Sequence, residues 1–101
     1  MKMLLTVDFP LEPFNSLVKS GKASEIIRKI LETIKPETAY FTEQDGKRGG
    51  IFIVNINSPS DVPFFSEPFF LEFDASCKFR VLMSPEDLQR ANLEELAKTW
   101  A

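Results

Sequence analysis

Four side chains in this sequence have the type and position to do chemistry: Asp8, Tyr40, Glu67 and Arg80. Asp8 closes an apolar–polar alternating run, Lys2 to Phe9, just before Pro10. A carboxylate there, beside Ser76 or Lys78 of an antiparallel neighbour, can act as a base or hold a polar ligand. The commoner use of such a residue is an ordinary cross-strand ion pair at a sheet end. Tyr40 is the only tyrosine. Its hydroxyl can donate to a ligand carbonyl, although a strand tyrosine more often packs its ring and turns its hydroxyl to water. Arg80 can grip a carboxylate ligand through two nitrogens, or pair with an acid such as Glu37 or Glu43 across an interface. Glu67 stands among phenylalanines. Buried there it would hold its proton to higher pH and carry one, whereas its place before Pro68 favours solvent.

Composition narrows the chemistry. There is no histidine, so the commonest general base and metal ligand are missing. The lone Cys77 makes neither an internal disulfide nor a zinc cluster, and its alternation with core residues reads as a small buried hydrophobe. The GKRGG stretch, Gly46 to Gly50, lacks the spacing and the following helix of a phosphate loop. No metal and no cofactor are expected. A net charge of -3 without a basic stripe argues against nucleic acid as a partner. No apolar run is long enough to cross a membrane and no signal region opens the chain, so a soluble cytoplasmic protein is expected.

With 101 residues the chain is one domain. Met3, Leu5, Val7 and Phe9 form one face of a first strand. Phe14, Leu17 and Val18 make one helical stripe, and Ile26, Ile27, Ile30, Leu31 and Ile34 make another. The stripes point to opposite sides of a single helix, so Ser20-Gly21 is read as a break between two helices. Glu37 to Glu43 is a second strand, Gln44 to Gly50 a hairpin turn around Asp45-Gly46, and Ile51 to Ile56 a third strand. A helix begins near Ser58-Pro59-Ser60-Asp61. It carries five phenylalanines between Phe64 and Phe73 and is shortened or kinked by Pro63 and Pro68. Asp74 to Met83 alternates as a fourth strand. Ser84-Pro85-Glu86-Asp87 caps a C-terminal helix with a possible break at Asn92.

The order is βαββαβ with a terminal addition, which folds into a four-stranded antiparallel sheet with helices on one face. Ile51 to Ile56 is apolar on nearly every step, as in strands covered on both sides. The helices cover one side only. The other, holding Leu4, Thr6, Tyr40, Leu82 and one set of the third strand's side chains, is expected to meet a second subunit.

The segments ETAYFTEQDGKRGG, IVNINSPSDVPFFSEPFFLEF and FRVLMSPEDL together resemble a small, little-characterised bacterial family of about this length. That family is placed among the dimeric α+β barrels, the ferredoxin-like superfamily that includes muconolactone isomerase and small cofactor-free monooxygenases. The resemblance implies a homodimer, often with a cavity between sheet and helices; a ligand is expected there or at the dimer interface. It carries over no catalytic set residue by residue, and the enzymes that use histidine have no counterpart here. The function expected is a homodimeric α+β barrel that binds a small apolar or carboxylate ligand. The alternatives are a cofactor-free isomerase or monooxygenase acting on an aromatic or ketone-like metabolite, and a pure oligomerisation module.

Overall fold

Alternation in the first eight residues builds the strand on which the rest is laid. In β1, Lys2–Asp8, the side chains of Met3, Leu5 and Val7 are buried while Leu4, Thr6 and Asp8 face the other way, half-buried. The computed structural model describes all 101 residues. Its sheet contains β1, β2 (Thr38–Gln44), β3 (Lys47–Asn55) and β4 (Ser76–Val81), in the order β2-β3-β1-β4 and antiparallel throughout. The architecture is α+β with the βαββαβ connectivity expected of a ferredoxin-like fold.

Three helices cover one face of this sheet: α1 (Leu11–Lys19), α2 (Ala23–Ile34) and α3 (Asp61–Phe73). The break between the first two falls at Gly21, whose φ of 78° suits a residue without Cβ. The layer between helices and sheet is aromatic. Phe9 packs edge-on against Phe14, Phe69 and Phe73, and Phe52 lies tilted on Phe69 at 5.3 Å. Phe9, Phe52, Phe69 and Phe73 are essentially removed from water, which fills the space between the two layers with side chains.

Helix α3 runs unbroken for 13 residues through Pro68. Pro63 sits at its third position, where no backbone donor is needed. Its start is held differently from the hydroxyl cap expected: the Asp61 carboxylate accepts from the backbone N–H groups of Asn57 and Ser58, at 2.8 and 3.1 Å. The turn after β2 is also tighter than the expected Gln44 to Gly50. Asp45 and Gly46 alone make it, at φ 52° and 81°, so Lys47 to Gly50 belong to β3. β4 is likewise shorter than its alternating pattern at both ends: Asp74 ends α3 in a left-handed conformation, and the pairing with β1 stops at Val81.

Beyond β4 the chain leaves the body. α4 (Pro85–Ala91) opens with a full capping box between Ser84 and Asp87, and Asn92, at φ 54°, joins it to α5 (Leu93–Trp100). Neither helix buries a residue. The single C-terminal helix with a break at Asn92 is therefore a bent arm that projects from the domain.

Candidate functional site on the open sheet face

Register decides which residues share the face without helices. Pairing Leu5 with Phe52 and Met3 with Val54 turns Phe52 and Val54 toward the helices, so Ile51, Ile53 and Asn55 take the open side. One row across that side reads Thr38, Ile53, Leu4 and Arg80; the next reads Tyr40, Ile51, Thr6 and Lys78; a third reads Thr42, Gly49, Asp8 and Ser76. Leu4, Ile51 and Ile53 are half-buried and form an apolar strip with polar groups on both flanks. Asp8, Tyr40 and Arg80 thus lie on one surface. Glu67 does not join them: it is exposed on α3, in the helical layer on the opposite side of the sheet.

Asp8 has a partner that sequence reading missed. Ser76 stands opposite it on β4 as expected, yet the contact it makes is with Gln44, across β3. The Gln44 Nε2 donates to Asp8 Oδ1 at 2.9 Å and to the backbone oxygen of Val7 at 3.1 Å. Gln44 reaches that far because Gly49 lies beneath it. A Cβ at Gly49 would come within 2.5 Å of the Gln44 Cδ and 2.6 Å of its Cγ, so only a bare backbone lets the side chain cross β3. The signal in the sequence was the glycine pair itself, which the turn reading absorbed. The clasp leaves the second Asp8 oxygen and the Gln44 carbonyl oxygen without an intrachain hydrogen bond.

The remaining polar groups differ in how firmly they are held. Tyr40 is 66% exposed on the edge strand. Arg80 and Lys78 are exposed and form no ion pair within the chain. Glu37, the acid considered for Arg80, is engaged elsewhere within the chain, at the end of the sheet away from Asp8: Asn55 Nδ2 donates to it at 2.7 Å and Lys2 Nζ lies 3.1 Å away. The Asn55 hydrogen bond, then Lys2, holds its carboxyl below the usual range.

Cys77, on the helix side, points its Sγ to the Ser66 carbonyl at 4.0 Å. Burial, and secondarily the Asp8 charge, pushes the thiol up to about 11, so it is protonated and unreactive at neutral pH. No three histidine, cysteine, aspartate or glutamate side chains come together as a metal site would require. Five surface clefts are lined without Asp8, Tyr40 or Arg80. No helix is long and apolar enough to cross a membrane.

What the single chain assembles is therefore an open platform: an apolar strip, a fixed carboxylate–amide clasp at one end and unpaired cations along one edge. No protein-family model matches the chain, and a search of curated proteins finds no relative.

Proposed function

We propose that this protein works as a homodimer in which a second copy covers the open sheet face, so that the two sheets share an α+β barrel enclosing a small, largely apolar ligand. The observation that carries this reading is the strip of Leu4, Ile51 and Ile53, left at the surface in the middle of a sheet. An apolar platform of this kind drives association, because covering it removes hydrocarbon from water. The space between sheet and helices is already occupied by phenylalanine rings, which favours the dimer interface as the ligand's place. The resemblance of the Glu37–Gly50, Ile53–Phe73 and Phe79–Leu88 segments to that family supports the same assembly.

In this reading Leu4, Ile51 and Ile53 receive the ligand body. Its polar head meets the Asp8–Gln44 clasp or Tyr40; a carboxylate head would meet Arg80 instead. The clasp also favours a second reading, a cofactor-free isomerase or monooxygenase. Gln44 fixes one Asp8 oxygen and leaves the other to take a proton from a bound aromatic or ketone-like metabolite.

A thermal-shift screen with matched aromatic alcohols, ketones, quinones and acids tests the ligand. A ligand present at about 100 times its Kd should stabilise by ~2.7 kcal/mol, roughly 10–20 °C in Tm for a domain of this size. Preference for alcohols or ketones, lost in Asp8→Asn, places the head at the clasp; preference for acids, lost in Arg80→Ala, places it at the arginine. No shift with any compound refutes ligand binding and leaves a pure oligomerisation module.

A further inference from the structure

The C-terminal arm leaves four large apolar side chains at the surface and buries none. Leu88, Leu93 and Leu96 are 45–53% exposed and Trp100 is 83% exposed. On α5, Leu93, Leu96 and Trp100 recur at intervals of three and four and so form one stripe. The whole chain shows the consequence. Its radius of gyration is 17.2 Å, against about 13 Å for a compact chain of this length. Its accessible surface is 7107 Å², against about 5,800 Å² for a compact protein of this mass. The excess, roughly 1,300 Å², is comparable with what one partner contributes to a substantial interface, where about 800 Å² each is standard.

The arm is also a well-specified element. The Ser84–Asp87 capping box starts α4, the Asn92 side chain accepts from the Glu95 N–H at 3.3 Å to start α5, and Arg90–Asp87 and Lys98–Glu95 ion pairs brace each helix. These pairs use both of the arm's cations and leave Glu86 and Glu94 unpaired. On the open sheet face Lys78 and Arg80 are the matching cations without an ion-pair partner, and both lie on β4, the strand from which the arm departs. A twofold axis relating two copies would bring each arm to the other's β4 side reciprocally.

We propose that α4–α5 is an exchanged arm. Its leucine and tryptophan stripe lies on the β4–β1 side of the open face of a second copy, with Glu86 and Glu94 against that copy's Lys78 and Arg80. This rests on the dimer reading above, in its form with the ligand's head at the Asp8–Gln44 clasp or Tyr40 rather than at Arg80, and names the part of the second copy that supplies the cover at this edge.

Trp100 is the only tryptophan, so its fluorescence reports on the arm alone. The full chain is examined across a dilution series by Trp100 emission and acrylamide quenching, with mass from light scattering on the same samples. The expected result is shielded, blue-shifted emission in the dimer that becomes solvent-like as the dimer dissociates. Lys78→Glu/Arg80→Glu should raise the dissociation constant about tenfold, and adding Glu86→Lys/Glu94→Lys should restore it. All four positions are exposed and carry no intrachain ion pair. Because Glu86 and Glu94 lie in the first turns of α4 and α5, where a cation opposes the helix dipole, circular dichroism of each variant checks that the helices persist. A dimer with solvent-like Trp100, or with no charge-swap rescue, overturns the arm exchange and leaves the dimer standing. Shielding that does not change with dilution means the arm folds on its own body and also overturns it. A monomer throughout overturns both.

Discussion

Gly49→Ala should weaken the protein through one side chain, Gln44, and the size of the effect can be worked out. The new Cβ would overlap the distal atoms of Gln44, the end of a flexible side chain, so the glutamine swings away while β3 keeps its place. Two hydrogen bonds go with it, to Asp8 Oδ1 and to the Val7 carbonyl. A bond to a charged group is worth about 1.5–3 kcal/mol and a neutral one about 0.5–1.5. Asp8 is only half-buried and recovers water, whereas Val7 is buried, so a loss of about 2 kcal/mol is expected. Replacing a strand glycine returns roughly 0.5–1 kcal/mol, which leaves a net cost of about 1–1.5 kcal/mol. Gln44→Ala should cost ~2 kcal/mol by the same bonds. In that background the overlap with the Gln44 amide is gone and Gly49→Ala should stabilise by about 0.5–1 kcal/mol, a reversal of sign that urea denaturation of the four proteins would resolve. If Gly49→Ala costs the same with and without Gln44, the glycine serves the backbone and the clasp argument is wrong.

Three further outcomes follow from the same structure. Gly50→Ala should destabilise by about 1–3 kcal/mol whatever stands at position 44, because its Cβ would lie 2.7 Å from the buried Phe52 ring rather than under a movable amide; the denaturation series reads this directly. Cys77 should react with iodoacetamide about a hundredfold more slowly than an ordinary thiol at pH 8, since a shift from 9.0 to about 11 lowers the thiolate fraction by that factor; an ordinary rate would mean the strand opens there. Glu37 has a lowered carboxyl, so its contribution to stability is complete above the ordinary carboxylate range and disappears as pH falls through its folded value. Urea midpoints taken from neutral pH downward should therefore fall less in Glu37→Gln than in the unaltered protein.

Much of the framework was legible because local rules and tertiary packing agree. The alternation of Met3, Leu5 and Val7, the glycine at 21, the Ser84–Asp87 box and the asparagine at 92 each act within a few residues, and each appears where the pattern put it. The misreadings occur where a residue is chosen for something distant in sequence. Gly49 and Gly50 look like turn residues, yet they are strand residues left bare for Gln44 and Phe52. The Asp8 partner was sought on β4, one strand away, and is Gln44 at the far edge of the sheet, which no periodicity encodes. Asp8, Tyr40 and Arg80 were separately conspicuous, and the register gathers them onto one face; Glu67 was conspicuous only by its aromatic neighbours, and helical geometry points it away. The arm carried a helical pattern that revealed its helices but not the body they lack.

The account depends on the open face having a cover. Sedimentation equilibrium of the full chain at micromolar concentration tests this most directly, with Ile53→Arg as its companion, since a charge planted on the apolar strip could not be buried there without a partner. The expected result is a species of twice the chain's 11.5 kDa, which Ile53→Arg dissociates or unfolds. A single 11.5 kDa species, stable and unaffected by arginine at position 53, would contradict it.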